Sequence, residues 1–433
     1  MDLSEMLAGT CPLREAGPQD HVDGVPARVV ATPGSTQETS ALLRACHAGG
    51  LAVVVRGHGT KLSWGRPPER LDVLLETTAM DGLVEHSRGD LIATAGAGMP
   101  LDRLGRLLAQ GGHQLVLDDL VGTAAARTAD APDAPDADGG RTGSTLGGAV
   151  ATNLCGPRRM WTGSVRDLVI GVRFVRADGT VAKAGGKVVK NVAGYDLAKL
   201  LTGSFGTLAV VTEVTVRLHP LPEAQRWVRM VVPPEALASV LGAAVHSQTV
   251  PQALEVRAVP GQAPEVAVLL GGTTGGVQAR ASRLVETLAP LLPQHRAAVR
   301  ATEQAPGWWA RPVDPEEGRP VLVRTTSRIS GVGELVSSAL DQGMTVTGSA
   351  GVGVLHALLP GDRAPEGART SVDALRATSG RLGGSTVVLD APPAVKADVD
   401  SWGPVPGLDL MRRVKNEFDP TRVLAPGRFV GGL

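Results

Sequence analysis

Short strand-like segments that run directly into clusters of glycine, serine and threonine constrain this chain more than any other feature. Four such clusters occupy residues 57–62, 143–153, 161–167 and 203–208. Glycine lets consecutive backbone N–H groups face a ligand, because no Cβ atom blocks the approach. The first cluster, taken alone, fits a phosphate-binding loop or a tight turn. Four clusters together predict one long ligand with a pyrophosphate and flat rings.

Composition excludes several classes of protein. The 43 basic residues balance the 43 acidic ones, which argues against a nucleic-acid binder or a polybasic membrane-surface protein. The N-terminus, MDLSEML, lacks the features of a signal peptide, and no apolar run approaches the roughly 18 residues of a membrane span. Three cysteines without a CxxC pair argue against a disulfide framework. The sequence therefore predicts a soluble cytoplasmic protein.

The order of predicted elements divides the chain. Residues 1–222 consist of short strands, glycine turns and a few helices. Residues 223–404 follow a βαββα order twice, which predicts an antiparallel sheet backed by helices, ferredoxin-like in style. Residues 122–142 contain four aspartates that alternate with alanine and proline, and we expect a disordered acidic loop there.

Five stretches of sequence resemble a single family of flavoproteins. They are 53-VVVRGHGTKLSWG-65, 145-TLGGAVATN-153, 156-GPRRMWTGSVRDLVIGVRFVRADG-179, the run 185–220 with KNVAGYDL and GSFGTL, and 417-EFDPTRVLAPGRF-429. The family is the vanillyl-alcohol oxidase/p-cresol methylhydroxylase-type superfamily. The most specific stretch, 145–220, resembles the FAD-binding (E) subunits of bacterial glycolate oxidases.

The resemblance implies an α+β fold. Residues 1–222 would form a two-subdomain FAD-binding module of the vanillyl-alcohol oxidase type. Residues 223–404 would form a ferredoxin-like antiparallel cap that binds substrate. Residues 405–433 would return to the FAD-binding domain.

The resemblance also implies which residues contact FAD. A first loop would hold the pyrophosphate by its backbone N–H groups: Arg56, Gly57, His58, Gly59, Thr60, Lys61 and Leu62. A second set would line the pyrophosphate and the flavin ring: Ser144, Thr145, Leu146, Gly147, Gly148, Thr152, Asn153, Gly163 and Ser164. A third set would turn beneath the cofactor and offer main-chain groups to its flavin or adenine end: Gly203, Gly206, Val210 and Val211.

The first loop also bears on how FAD is attached. Covalently flavinylated relatives end this loop in a histidine, whereas Thr60 stands there in this chain. The resemblance therefore implies noncovalent FAD. His58 lies two positions earlier, where glycine is usual, and either contacts phosphate or ribose or faces solvent.

Three residues are candidates for catalysis. Arg324, in a strand-like segment, either clamps a carboxylate bidentately or forms a surface salt bridge. His356 aligns with an HxGDGNxH-like motif of related dehydrogenases. A single histidine cannot hold a divalent metal, so we expect no metal, and His356 is either a base or a packed strand residue. Tyr195, the only tyrosine, either hydrogen-bonds substrate or packs at a helix start.

The resemblance implies an FAD-dependent oxidoreductase of the 2-hydroxy-acid dehydrogenase or oxidase type. It would oxidise a small, glycolate-like 2-hydroxy acid by hydride transfer to FAD. Expected partners are a paralogous flavoprotein subunit and an iron–sulfur subunit, through which the protein could be peripheral to the inner membrane. Two alternatives stay open: a non-catalytic FAD-bearing structural subunit, and a stand-alone flavin oxidase or dehydrogenase of an alcohol or sugar acid.

Overall fold

The structure, a computed structural model, describes residues 3–120, 143–186, 195–311, 319–361 and 363–433. The expected loop 122–142 lies outside these residues. Within them, no helix has both the length and the apolar character needed to cross a membrane.

The described residues form strands and helices in the following order. The strands are β1 (Leu13–Glu15), β2 (His21–Val22), β3 (Val25–Pro26), β4 (Val29–Ala31), β5 (Val53–Arg56), β6 (Val73–Glu76), β7 (Leu83–Ser87), β8 (Ile92–Gly96), β9 (His113–Gln114), β10 (Val169–Arg176), β11 (Val181–Gly185), β12 (Ala209–Arg217), β13 (His219–Pro220), β14 (Ala224–Val231), β15 (Ala253–Ala258), β16 (Glu265–Gly272), β17 (Arg300–Thr302), β18 (Val321–Thr326), β19 (Thr345–Ser349), β20 (Val354–Leu359) and β21 (Thr386–Asp390). The helices are α1 (Leu3–Leu7), α2 (Thr36–Gly49), α3 (Leu101–Ala109), α4 (Leu146–Thr152), α5 (Arg159–Thr162), α6 (Val165–Leu168), α7 (Leu197–Leu201), α8 (Leu237–Val245), α9 (Thr274–Leu288), α10 (Val332–Asp341), α11 (Pro365–Arg381), α12 (Pro393–Asp398) and α13 (Leu408–Phe418).

The chain divides into two compact units. Unit 1 comprises Met1–Leu154, Ser164–Pro220 and Pro404–Leu433, and unit 2 comprises Cys155–Gly163 and Leu221–Gly403. The boundaries at 220/221 and 403/404 lie within two residues of those expected from sequence. The assignment of Cys155–Gly163 to unit 2 was not expected, because that stretch carries the GPRR motif of the FAD-binding resemblance.

Unit 1 contains two main sheets. One has the order β1-β4-β6-β5, in which β4, β6 and β5 are parallel and β1 is antiparallel. The other is antiparallel with the order β11-β10-β12-β8-β7. Helix α2 packs against both, since Leu42, Leu43 and Cys46 share a core with Val53 of β5 and Val175 of β10. This core fixes the end of β5, from which the first glycine loop leaves.

A buried network ties the C-terminal segment to unit 1. The Lys415 ammonium donates hydrogen bonds to the Asp419 carboxylate at 2.7 Å and to the carbonyls of Thr207 and Leu424 at 2.7 and 2.9 Å. Asp419 also accepts the backbone N–H groups of Val423 and Leu424. Leu424 then pairs with β5, so the chain's last residues lie beside the first glycine loop.

Unit 2 is built on an eight-stranded antiparallel sheet with the order β17-β14-β16-β15-β19-β20-β18-β21. One face packs against helices α8, α9, α10 and α11 in a large apolar core. The structure thus contains an antiparallel sheet backed by helices, while the ferredoxin-like arrangement expected for it stays a prediction. The mixed helix and sheet composition of the whole chain also agrees with the expected class.

The opposite face of this sheet, here called the polar face, carries a row of polar side chains beside apolar ones such as Leu269 and Leu322. Side chains directly opposite one another across adjacent strands share a face, and one such row reads Arg324, His356, Thr347, Arg257 and Glu265. The alternate positions of the same strands belong to the apolar core. The period-2 pattern therefore places the candidate residues Arg324 and His356 side by side.

Candidate functional site

The first glycine loop follows β5 and has little space for side chains. A Cβ atom on Gly57 would lie 2.3 Å from the Thr145 hydroxyl oxygen, and Gly59 has a φ of +80°. Both positions therefore require glycine. The Arg56 side chain lies beside Gly59, and its guanidinium pairs with Asp20 at 2.8 Å and with Glu76 at 2.6 Å. Arg56 is the last residue of β5, and its ion pairs with Asp20 and Glu76 hold the start of the loop in position.

This loop forms one wall of a cleft with about 480 Å³ of empty space. The cleft lies entirely within unit 1. Its lining residues are Val55, Arg56, Gly57, His58, Gly59, Thr60, Lys61, Leu62, Thr145, Gly148, Ala151, Thr152, Phe205 and Arg428. The structure thus brings together the whole expected loop 56–62 and three residues of the second expected set.

Lys61 places a buried positive charge in this cleft. Lys61 is 8% exposed, and its ammonium donates a hydrogen bond to the Ser144 hydroxyl at 2.5 Å. Ser144 in turn donates to the Asp119 carboxylate at 2.7 Å. Burial lowers the pKa of Lys61 to about 8, although the charge of Asp119 acts in the opposite direction. An anionic ligand would favour the protonated ammonium.

Arg428 is a second buried cation of the cleft, and the sequence analysis missed it. Its guanidinium donates to the carbonyls of Leu62 and Trp64 at 2.6 and 2.8 Å, while the residue is 4% exposed. Burial lowers its pKa to about 10, so it is charged at neutral pH. The only available signal was its position in the PGRF stretch of the C-terminal segment.

A second cleft in unit 1 contains about 510 Å³ and is mainly apolar. It shares Val55, Gly57, Gly148, Ala151 and Phe205 with the first cleft, so the two are continuous. Its other lining residues are Thr77, Ala97, Gly147, Leu201, Ser204, Gly206, Ala209, Val210 and Val211.

Phe205 lies where the two clefts meet and was also missed. Its φ of +55° is rare for a bulky residue, and strain of this kind concentrates at ligand sites. Its ring packs against Phe429, with centroids 5.7 Å apart. The two aromatic residues therefore join the GSFG turn to the C-terminal segment.

These observations fit a dinucleotide with two aromatic ends. Lys61 and Arg428 supply two positive charges, which match the two negative charges of a diphosphate. The glycine loop gives backbone N–H groups access that a Cβ atom would block. The continuous apolar cleft offers small and aliphatic side chains to a flat ring. The residues present can thus hold FAD.

Some expected residues lie elsewhere. Asn153 ends α4 in the left-handed conformation and accepts the N–H of Arg166. Ser164 forms a capping box with Asp167 at the start of α6, and neither Gly163 nor Ser164 lines the two clefts described above. Gly203 has a φ of +83° in the turn beside α4. Tyr195 is 95% exposed.

The polar face of unit 2 carries a separate cluster. Arg324 on β18 lies directly opposite His356 on β20. His356 is 5% exposed, and its Nε2 atom has no hydrogen-bond partner among the described residues. Burial, together with the positive charges of Arg324 and Arg159, lowers the pKa of His356 to about 3. The imidazole is therefore neutral at physiological pH.

The positive charge of Arg159, on α5, influences this cluster. It acts electrostatically on both Arg324 and His356, and the buried Cys155 also lies near Arg324. Burial and the Arg159 charge both lower the pKa of Arg324. Neither guanidinium has a hydrogen bond or ion pair with any residue that the structure describes. The cluster can bind an anion next to a neutral imidazole.

In the described ranges, no group of three or more histidine, cysteine, aspartate or glutamate side chains is arranged to hold a metal ion. The expectation that the protein uses no metal stays a prediction.

A family model and several curated relatives match parts of this chain. A family model described as "FAD binding domain" matches residues 27–126 and 134–185. Glycolate oxidase subunit GlcE of Escherichia coli (strain K12) is 37% identical over 179 residues, 41% of this chain and 45% of that protein. D-lactate dehydrogenase of Archaeoglobus fulgidus is 35% identical over 192 residues, 44% of this chain and 39% of that protein. The chain thus spans less than half the length of each of these relatives.

A solved structure extends the similarity over nearly the whole fold. Alkyldihydroxyacetonephosphate synthase superposes with a TM-score of 0.65 over 93% of this chain and 76% of that chain, at 17% sequence identity. At this identity the likeness concerns the fold. The family model and the two relatives show that the chain carries an FAD binding domain and is homologous to glycolate oxidase subunits and related FAD-linked oxidoreductases.

Proposed function

We propose that this chain is an FAD-dependent oxidoreductase that oxidises a small 2-hydroxy acid. The observation that carries the proposal is the Arg324 guanidinium, which has no hydrogen bond or ion pair with a described residue, beside the neutral imidazole of His356, whose Nε2 has no partner among those residues either. A buried cation without a protein partner is stabilised by an anionic ligand such as a carboxylate. The names of two relatives refer to glycolate and lactate, which are both 2-hydroxy acids.

In this proposal, the two continuous clefts of unit 1 bind FAD. Lys61 and Arg428 neutralise the diphosphate, and the N–H groups of residues 57–62 donate hydrogen bonds to it. Phe205, Val210 and Val211 line the part that takes a ring. When bound, FAD supplies the two-electron acceptor needed to oxidise an alcohol to a carbonyl.

Residues of unit 2 bind the acid and accept its hydroxyl proton. Arg324 binds the carboxylate, which fixes the position of the adjacent hydroxyl group. The neutral His356 accepts the hydroxyl proton at Nε2. A bound carboxylate offsets the charge of the nearby guanidiniums, and this removes one cause of the low pKa of His356. Tyr195 has no role in this proposal, because it is almost fully exposed to solvent.

Replacing Arg324 by alanine tests the proposal. We expect KM for the acid to rise by about ten-fold to a hundred-fold, since hydrogen bonds to charged groups contribute about 1.5–3 kcal/mol. FAD content should be unchanged. Steady-state kinetics and the flavin absorption of the purified variant measure both quantities.

Arg257→Ala is the matched control for Arg324→Ala. Arg257 lies on the same face of the same sheet, but it already pairs with Glu265. KM should stay near the wild-type value in this variant. Loss of FAD from Arg324→Ala, or an equal rise of KM in the two variants, would refute the assignment of Arg324 to the carboxylate.

We propose further that FAD is held noncovalently, because Thr60 stands where covalently flavinylated relatives carry histidine. Acid precipitation of the purified protein should release all of the flavin into the supernatant. Absorption spectra of supernatant and pellet, taken after acid treatment, decide the point. A pellet that keeps its yellow colour would contradict noncovalent binding.

We also propose that the chain works with partner subunits, including an iron–sulfur protein. Its three cysteines are too few for a four-thiolate cluster, and they lie at Cys11, Cys46 and Cys155. One relative is itself named as a subunit of glycolate oxidase. Anaerobic mixing of the purified chain with glycolate or lactate separates the possibilities. Flavin reduction by the chain alone supports a catalytic subunit, and reduction only after partner addition supports a structural one.

A further inference from the structure

Asp119 is a carboxylate next to the first cleft of unit 1 that the proposed function does not use. Its two oxygens both bond to Ser144, one accepting the backbone N–H at 2.6 Å and the other accepting the hydroxyl at 2.7 Å. Gly143 has a φ of +76°, and a Cβ atom there would lie 3.2 Å from the same carboxylate. Asp119 therefore fixes both the backbone and the hydroxyl direction at the start of the cluster 143–153.

This hydroxyl direction decides how Ser144 meets Lys61. Ser144 has one hydroxyl proton and donates it to Asp119, so the Lys61 ammonium donates to a lone pair of the same oxygen at 2.5 Å. The ammonium donates a second hydrogen bond to the Thr60 hydroxyl at 3.2 Å. An ammonium has three N–H groups, and the described residues accept two of them. The third remains for a ligand in the cleft that Lys61 lines.

The charge of Asp119 also acts on Lys61. The two hydrogen bonds through Ser144 place the ammonium and the carboxylate at most about 5 Å apart. An opposite charge at about 4–6 Å favours the charged form of a group. Burial disfavours the ammonium, and among the described residues Asp119 is the group whose charge opposes this effect. Asp119 thus both orients Lys61 and favours its protonation.

The other charged or titratable groups that line this cleft are Arg56, His58 and Arg428. Guanidinium groups stay charged at neutral pH. The Nδ1 atom of His58 lies 3.2 Å from the Gly143 carbonyl oxygen. His58 is therefore the group from which a titration of Lys61 has to be separated.

We propose that Asp119 is a positioning residue for FAD, which acts through Ser144 to keep Lys61 as a charged and oriented donor to the diphosphate. The inference rests on the proposed function, in which Lys61 binds the diphosphate, and it names the group that prepares this charge. A carboxylate repels a diphosphate. Asp119 can therefore favour FAD binding only through the residues that it orients and charges.

The pH dependence of FAD binding by Asp119→Asn tests this inference. Fluorescence titration of FAD into the FAD-free protein gives the affinity, and the diphosphate of FAD has no proton that titrates near neutral pH. Without the carboxylate, Lys61 loses its proton at lower pH, so the pH above which affinity falls should move down by at least about one unit. At pH 8 the affinity should be about five-fold or more below that of the wild-type protein. At lower pH it should recover to the wild-type value or exceed it, because the repelling charge is gone.

Asp118→Asn is the matched control. It removes the same charge from the adjacent position, and Asp118 is absent from the groups that act on Lys61. Its pH profile should match that of the wild-type protein, and Asp119→Glu, which keeps the charge, should restore part of the profile. In a His58→Gln background, Asp119→Asn should cause the same downward shift, which assigns the shift to Lys61.

Two results would overturn the inference. One is a loss of affinity in Asp119→Asn that is equal at every pH, which is what a purely structural role predicts. The other is a profile identical to that of the wild-type protein. If Asp119→Asn does not fold, Ser144→Ala interrupts the same hydrogen bonds with a smaller change, and an unshifted profile there would count equally against the inference.

Failure of the proposed function looks different. Equal FAD affinity of Lys61→Met and the wild-type protein would refute the assignment of Lys61 to the diphosphate. Weak binding by Lys61→Met, combined with an unshifted profile in Asp119→Asn, would leave that assignment standing and overturn only the role of Asp119. Neither result depends on turnover of a 2-hydroxy acid.

Discussion

Replacing Lys415 by methionine is expected to lower the free energy of unfolding by about 3–5 kcal/mol, the cost of breaking a buried ion pair by removing one partner. Lys415 and Asp419 have side chains that are 1% and 0% exposed. Methionine would leave the Asp419 carboxylate buried without its counter-charge, and the carbonyls of Thr207 and Leu424 without their donor. Urea denaturation followed by circular dichroism measures the change.

Two further variants sharpen this prediction. Lys199 and Asp196 form an exposed ion pair, with side chains that are 39% and 52% exposed. Lys199→Met removes this pair and should lower the free energy of unfolding by less than about 1 kcal/mol. The double variant Lys415→Met/Asp419→Leu should stay destabilised, because Asp419 also accepts the N–H groups of Val423 and Leu424. Full recovery in the double variant, or equal losses for Lys415→Met and Lys199→Met, would contradict the role given to the network.

Replacing Lys61 by methionine should weaken FAD binding by about 2–5 kcal/mol, a factor of about thirty or more. The variant keeps a similar length but removes the buried charge that we assign to the diphosphate. Fluorescence titration of FAD into the FAD-free protein measures the affinity. Lys183→Met, an exposed position on β11, is the control and should bind FAD like the wild-type protein.

The pH dependence of FAD binding should follow Lys61. Its pKa of about 8 in the unliganded protein lies below the ordinary value of 10.5, because burial disfavours the charge. Between these values the unfolded chain binds more protons, so the stability of the FAD-free protein should rise with pH across this window. FAD favours the charged form, so affinity should be full below about pH 8 and fall as pH rises further. Lys61→Met should lose this dependence, and a fall of the same size in that variant would assign it to another group.

The clusters of the first half show what local sequence can establish. The loop 57–62 was predicted from glycine beside a strand, and the structure places these residues in one cleft, because the requirement for glycine is a property of the local backbone. The direction in which each side chain points was harder to predict. Nothing in the sequence indicates that Arg56 turns to Asp20 and Glu76, whereas Lys61 turns into the cleft.

Residues that reach a site from distant parts of the chain escaped the sequence analysis. Arg428 contacts a carbonyl 366 positions away, and no local pattern encodes such a meeting. Arg159 was visible in the GPRR motif, but the motif suggested the FAD-binding domain rather than the sheet of unit 2. That no described carboxylate pairs with Arg324 could not be predicted either, since a strand arginine can find a carboxylate partner across the sheet, as Arg257 does.

Because Cys155–Gly163 belongs to unit 2, recombination between relatives must exchange two separate pieces of sequence to exchange this unit. The chain passes between the units at 154/155, 163/164, 220/221 and 403/404, so unit 2 is encoded in two separate pieces. A chimera that exchanges only residues 221–403 would import a foreign sheet while keeping the native Arg159. A transferable specificity module must include both pieces, and substitutions at 155–163 should be inherited together with those on the polar face of the sheet.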